Sequence, residues 1–303
     1  MNISDIGEFG LIEEIKRLTK NPEGALGIGD DCAIIEYGEK ELLVSVDALV
    51  EGVHFFEDAN PYLLGRKSLA VNISDVAAMA GIPKWCFLSI SIGKGVAKEW
   101  IDSFMKGFLD LAEEYNVYLL GGDTTSSEKT VINITIIGEN RKGKSLKRST
   151  AKVGDLVVVS GRIGCSFAGF KALRDSIEGF EELKDKHLNP KPMVEEALKI
   201  RDIATAMIDI SDGLVQDCGH IAESSKVKIE LFWDKIPFCD TDIATEEEML
   251  CGGEDYQILA TIRSNAGLPD GFYVIGRVVK GEGVVLLKNG KSVELKDCGY
   301  RHF

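Results

Sequence analysis

Acidic residues recur in this chain where apolar segments end in glycines or small polar residues, and this pattern limits the available folds more than any other feature. Gly27-Ile28-Gly29-Asp30-Asp31-Cys32-Ala33 sets two adjacent carboxylates in a glycine loop, where backbone lacking Cβ atoms can approach a ligand closely. An apolar run over 42–46 then delivers Asp47. The same arrangement returns at Asn72-Ile73-Ser74-Asp75, at Leu119-Leu120-Gly121-Gly122-Asp123 and at Ile208-Asp209-Ile210-Ser211-Asp212-Gly213. Asp and Gly are ordinary turn residues, so one such loop carries little information. Charge placed repeatedly against apolar segments is costly unless a cation or ligand compensates it. The recurrence therefore points to a cation site built from several loops.

Length and charge narrow the classes further. A chain of 303 residues exceeds the usual single domain, so two domains are expected. A formal net charge of −14 argues against nucleic acid, whose phosphates are bound by an excess of Lys and Arg. Glu246-Glu247-Glu248 reads as solvated acidic surface. Seven cysteines without a C-x-x-C pair argue against a disulfide framework or a structural zinc, and read as reduced thiols of a cytoplasmic protein. No segment has the apolar length of a membrane span, and residues 1–20 carry early acids without a signal-peptide core.

In chain order, apolar spacing predicts a helix over 9–18, strands over 33–35 and 42–46, and a loop through Glu51-Gly52-Val53-His54-Phe55. Taken alone, His54 reads more readily as a packed loop histidine than as a ligand contact. Asn60-Pro61 starts a helix and Gly81-Ile82-Pro83 stops it. That helix is apolar around most of its circumference, hence buried, yet Asn72 and Asp75 share one face of it. A strand over 86–92, a core-facing helix over 97–115 and strands over 117–120 and 131–137 complete an α/β half. A boundary near Thr150 separates domain 1–150 from domain 151–303. The second domain holds strands over 156–159, 206–210, 227–232, 256–262 and 272–278, with helices over 166–173, 193–203 and 214–222. Residues 179–191 read as a polar connector, and Asn289-Gly290 as a hairpin turn.

Two motif matches fail on context. Gly138-Glu139-Asn140-Arg141-Lys142-Gly143-Lys144-Ser145 fits the P-loop pattern after a strand, but 146–155 lacks the required amphipathic helix. The stretch reads as a basic loop whose Arg148 can still reach a phosphate. Asp209-x-x-Asp212-Gly213 lacks the alternating acids of an EF-hand. Paired carboxylates can act as general acid and base, but no Ser-His-Asp or Cys-His set accompanies them. Acids on glycine loops suit hard cations, whose natural client is a polyphosphate, which points to magnesium-dependent phosphoryl chemistry.

These motifs together resemble the thiamine-monophosphate kinase family. The resemblance rests on Gly27-Ile28-Gly29-Asp30-Asp31, Ser45-Val46-Asp47, Gly52-Val53-His54-Phe55, Asn72-Ile73-Ser74-Asp75-Val76-Ala77-Ala78-Met79, Gly121-Gly122-Asp123-Thr124, Arg148-Ser149, Asp209-Ile210-Ser211-Asp212-Gly213-Leu214 and Gly252-Gly253-Glu254-Asp255-Tyr256. It runs from Gly7 to Phe303 in the family's order. It implies an α/β fold of two domains whose N-terminal mixed sheet joins that of a second copy into a barrel across a homodimer. The implied reaction takes ATP and thiamine monophosphate to ADP and thiamine diphosphate. By this resemblance Asp30, Ser45, Val46, Asp47, Asp75, Asp123, Asp209 and Asp212 hold several magnesium ions. Gly121, Gly122, Arg148 and Ser211 contact ATP, and His54, Glu254 and Tyr300 hold the thiamine phosphate. Asp31 receives no role, and Asn72 is expected to orient Asp75. The acceptor phosphate is already anionic, so no general base is implied. The alternatives are another ATP-using synthetase of the same superfamily and a magnesium-dependent phosphatase; His54 and Glu254-Asp255 favour the kinase.

Overall fold

The structure of the protein, a computed structural model, describes residues 3–295 and 298–300, so Phe303 lies outside the described residues. The first half of the chain forms α1 (Ile3–Leu18), β1 (Ala25–Leu26), β2 (Ala33–Tyr37), β3 (Lys40–Val50), α2 (Pro61–Ala78), β4 (Ile82–Gly93), α3 (Lys98–Glu114), β5 (Tyr118–Ser127) and β6 (Val131–Arg141). The second forms β7 (Leu156–Val159), α4 (Cys165–Arg174), α5 (Glu181–Leu188), α6 (Val194–Ile200), β8 (Ala204–Asp209), α7 (Leu214–Ser225), β9 (Lys228–Phe232), α8 (Glu246–Cys251), β10 (Ile258–Ile262), β11 (Tyr273–Val279), β12 (Gly283–Lys288) and β13 (Lys291–Val293). Two mixed sheets result, six strands in the order β1-β2-β3-β6-β4-β5 and seven in the order β13-β12-β9-β11-β7-β10-β8.

Helix α2 lies where the two halves meet. Asn60 starts it as expected, its side-chain oxygen accepting from the amides of Tyr62 and Leu63 at 3.0 and 3.2 Å, with Pro61 in the first turn. The helix packs against β3, β6 and α3 on one side and against α6 and β8 on the other. Leu69, Ile73 and Val76 therefore share one core with Leu43 and Ile134 of the first sheet and Met207, Ile258 and Ala260 of the second. Close approach to α3 depends on two glycines. A Cβ on Gly65 would lie 2.1 Å from the Phe104 carbonyl oxygen, and one on Gly107 would lie 1.9 Å from that of Tyr62.

Register in the first sheet decides where its acids point. β3 pairs with β6 along its whole length, Ser45 opposite Ile136 and Asp47 opposite Ile134. Side chains alternate across a strand, so Ser45 and Asp47 face α2 together with buried Leu43 and Leu49. Val46 faces away and is exposed. On β5, Asp123 stands opposite Ser89, whose neighbours Leu88 and Ile90 point into the core. Asp123 therefore occupies the outer face, opposite to Asp47.

Several expectations are corrected. The connector over 179–191 contains α5, with Glu181 and Glu182 in the first turn and Lys186 in the last suiting the helix dipole. Glu246-Glu247-Glu248 stays on the solvated surface as expected, where it forms the first turn of α8; Thr245 and Glu248 make a reciprocal cap and Glu248 pairs with Lys171 at 2.7 Å. Four cysteines are paired rather than reduced, Cys165 with Cys239 and Cys251 with Cys298. These partners are 74 and 47 residues apart, so only the fold brings them together. Cys32, Cys86 and Cys218 are free and buried. The P-loop look-alike is the end of β6 and a turn, with the amides of Gly143 and Ser145 donating to Glu41 at 2.8 and 3.2 Å.

Replacing Gly107 by Ala sets two effects against each other. Helix propensity favours alanine by about 1 kcal/mol, but the new Cβ meets backbone that cannot rotate away, and overpacking of this kind costs about 1–3 kcal/mol. Urea unfolding should show Gly107→Ala destabilised by up to about 2 kcal/mol; a gain in stability would contradict the α2–α3 packing described.

Candidate active site

Four segments bring acids to the junction of the halves. The loop before β2 carries Asp30 and Asp31, β3 carries Ser45 and Asp47, α2 carries Asn72, Ser74 and Asp75, and the turn from β8 into α7 carries Asp209, Ser211 and Asp212. Carboxylate oxygens of Asp31, Asp75 and Asp209 lie within 4.8 Å of one another. Hydroxyls fix their orientation: Ser45 donates to Asp75 at 2.6 Å, and Ser74 donates to Asp209. Asn72 holds the backbone of Asp47, whose amide donates to its side-chain oxygen at 3.2 Å, rather than orienting Asp75.

Arg148 closes one side. Its guanidinium donates to Asp31 at 2.7 Å while its amide donates to Asp30 at 2.7 Å. One cation does not balance this set. Burial raises Asp47 to about 6, with Asp31 and Asp212 adding to it. Burial likewise raises Asp209 to about 7, with Asp31 the next cause. Asp75 is pushed well above the ordinary carboxylate range by burial, then by Asp47 and Asp209. A donor set of carboxylates and a hydroxyl is all oxygen, and it fits a hard divalent cation.

A second group, Asp212, Asp217 and His220, also lies within 4.8 Å. Buried Asp217 accepts from the amides of Asp212 and Gly213 at 3.2 and 3.1 Å, which fixes the turn leading into α7. His220 stacks at a tilt on Phe9, 5.1 Å between rings.

Beside the acids, the segment 252–256 runs against 210–211. The amide of Glu254 donates to the Ser211 carbonyl at 2.8 Å and that of Tyr256 to Ile210 at 2.8 Å. A Cβ on Gly253 would lie 2.1 Å from the Ser211 oxygen, so only glycine fits there. The next two acids diverge. Asp255 accepts from the amides of Gly164 and Ser166 at 2.6 and 3.1 Å, at the start of α4. Glu254, with φ of 63°, turns the other way and meets Lys67 at 2.9 Å. His54 accepts from the amide of Val50 through Nδ1 at 3.1 Å and lines a small cavity with Phe56, Lys67 and His187. Tyr300 is tied to the acid turn, its amide donating to the Asp212 carbonyl at 3.1 Å and its carbonyl accepting from Gln216 at 3.0 Å. The disulfide between Cys251 and Cys298 links this segment to the one bearing Glu254.

The structure thus gathers Asp30, Ser45, Asp47, Asp75, Asp209, Asp212, Arg148 and Ser211 at one junction, with His54, Glu254 and Tyr300 next to it. It does not bring Asp123 there. Gly121, Gly122 and Asp123 border a separate cavity of about 350 Å³ walled by Ile90, Ile101 and Phe104. Sequence reasoning missed Lys67, His187 and Asp217 and left Asp31 without a role. A lysine in a helix expected to be buried and a doubled aspartate were the available signals.

Family models for AIR synthase related protein match the chain, the N-terminal domain over 29–140 and the C-terminal domain over 152–288. That is the class to which two mixed sheets with acids at their junction correspond. Among curated proteins, the thiamine-monophosphate kinase of Aquifex aeolicus is 37% identical over 100% of both chains, and that of Escherichia coli K12 is 36% identical over 98% of each. The solved structure of AaThiL complexed with AMPPCP and TMP matches with a TM-score of 0.92 at 37% identity, covering 100% of this chain and 99% of that one. The chain belongs to the thiamine-monophosphate kinase family.

The raised carboxyls make stability depend on pH. Asp47 and Asp209 titrate higher in the folded chain than the usual ~3.9 of an unfolded aspartate, so the folded state binds more protons between those values. Stability of the metal-free protein is then greatest below pH 4 as far as these groups are concerned, and is lost as pH rises through about 6 to 7. Thermal unfolding should show the melting temperature falling from pH 5 to 8 without magnesium. Added magnesium should raise it more at pH 8 than at pH 5; equal shifts at both would contradict the shared site.

Proposed function

We propose that this chain transfers the terminal phosphoryl group of ATP to thiamine monophosphate, giving thiamine diphosphate and ADP. The observation that carries the reading is the meeting of Asp31 and Asp75 from one half with Asp209 from the other. Membership of the thiamine-monophosphate kinase family supports it, as does the AaThiL structure with AMPPCP and TMP. The chemical difficulty is bringing two phosphate anions together, and the acceptor oxygen needs no strong base.

Asp30, Ser45, Asp47, Asp75, Asp209 and Asp212 would hold several magnesium ions, with Val46 contributing its main-chain carbonyl because its side chain points away. Bound there, magnesium would neutralise phosphate charge and align donor with acceptor. Arg148 and Ser211 contact ATP, and Gly121 and Gly122, which border the separate cavity with Asp123, would contact it across the dimer. His54, Glu254 and Tyr300 hold the thiamine phosphate. Transfer is in line, without a phosphoenzyme, and no residue acts as general base.

The reading includes a homodimer. Val46, Phe87, Tyr118 and Leu120 are exposed apolar residues of the first sheet and its edge strand, and a second copy pairing there into a barrel would cover them. Asp123 lies on the outer face of that sheet, so it would act at the dimer rather than within one half. Domains 1–150 and 151–303 meet at the site. None of the helices among the described residues is long and apolar enough to cross a membrane. We place the enzyme in the cytoplasm, where ATP is supplied.

The test is product analysis with magnesium, ATP and thiamine monophosphate. Thiamine diphosphate and ADP should form in equal amounts, and Asp47→Ala should lower turnover roughly 10²-fold or more, the scale of one lost electrostatic contact at a transferring group. ATP consumption without thiamine diphosphate would overturn the reading.

A further inference from the structure

Glu254 is held from behind by two buried groups that the family resemblance leaves without a role. Lys67 Nζ lies 2.9 Å from Glu254 Oε1, and His187 Nδ1 lies 3.3 Å from Oε2. The side chains of Lys67 and His187 are 3% and 6% exposed, whereas that of Glu254 is 28% exposed. The pair therefore grips the inner side of a carboxylate whose outer side remains open. α2 supplies Lys67 and α5 supplies His187, so the carboxylate joins the two halves of the chain. Phe170 backs the imidazole, 5.4 Å between rings, and itself stacks on Phe56 at 6.0 Å.

Charge in this network is determined by placement. An ammonium buried on a largely apolar helix is expensive unless a carboxylate compensates it. Burial alone would raise Glu254, but the Lys67 ammonium beside it outweighs burial and holds the carboxyl below its usual range. Burial, reinforced by Lys67, lowers His187 to about 4, so the ring is neutral at pH 7. The ring turns Nδ1 toward Glu254. Ser166 Oγ lies 3.2 Å from the same nitrogen. The left-handed backbone of Glu254 is a further cost, borne where the surrounding structure over-determines the conformation.

We infer that Lys67 and His187 are positioning residues that keep Glu254 ionised and aimed outward, so that it selects an acceptor bearing a positively charged ring. This rests on the proposed function, since thiamine monophosphate carries a cationic thiazolium. Without Lys67, a partly buried Glu254 loses the cation that offsets its burial and is no longer held outward for such a ring. Lys67 and His187 touch Glu254 rather than the reacting atoms, so their effect falls on acceptor binding.

Steady-state kinetics of the full chain with magnesium, ATP and thiamine monophosphate test this. Lys67→Met keeps the length of the stem and removes the charge. It should raise KM for thiamine monophosphate tenfold or more, with kcat within threefold and KM for ATP unchanged. Lys67→Arg should restore KM to within threefold of the parent. His187→Leu, an independent variant should Lys67→Met fail to fold, should raise the same KM at least threefold. A folded Lys67→Met whose KM is unchanged, or a fall in kcat alone with both KM values intact, would overturn the inference and leave the kinase reading standing. A parent protein that forms no thiamine diphosphate would overturn both.

Discussion

Repulsion among carboxylates is the constraint on which the rest of this structure depends. Two like charges about 4 Å apart repel by about 4 kcal/mol at an effective dielectric of about 20, a large fraction of the ~5–15 kcal/mol that stabilises a domain. Asp31, Asp75 and Asp209 converge in spite of this. They do so because each is fixed by something stronger than itself. Asp31 is paired with Arg148, Asp75 stands on a helix buried from both sides, and Asp209 ends a strand of the second sheet. Burial first, and repulsion from neighbouring carboxylates after it, raises Asp47, Asp75 and Asp209 above the ordinary carboxylate range.

α2 makes the arrangement possible. One element touches both sheets and carries Lys67 on one turn and Asn72, Ser74 and Asp75 within the turn that follows. Lys67 reaches toward Glu254 while Ser74 reaches Asp209, so the acceptor side and the metal side are set by the same rigid body. Burial of Leu69, Ile73 and Val76 in a core common to both sheets holds that body in place. Hydrophobic packing thereby sets the distances on which charge neutralisation depends.

Much of this was legible in the sequence, and the boundary follows from range. Asn60-Pro61 and Gly81 announced α2 because capping is local, and the apolar run over 42–46 announced β3 and its delivery of Asp47. The acids at the ends of apolar runs announced the site. What escaped needed contacts between distant residues: the cystine pairs, the Arg148 bond to Asp31, and the Lys67 contact with Glu254, which spans the two halves. α5 escaped for another reason. Its eight residues are nearly all polar, so the apolar period that reveals a helix is absent, and His187 went with it. The face on which Asp123 stands also escaped, because it is set by register across β4 and β5, opposite Ser89.

The central claim is that acids from both halves share divalent cation. Anomalous diffraction from crystals of the full chain grown with manganese and a non-transferable ATP analogue tests it most directly, because manganese takes oxygen ligands much as magnesium does. The account predicts strong peaks among Asp31, Asp75 and Asp209, within coordination distance of carboxylates from both sheets. Peaks confined to the Asp212, Asp217 and His220 group, or none at the junction, would contradict it.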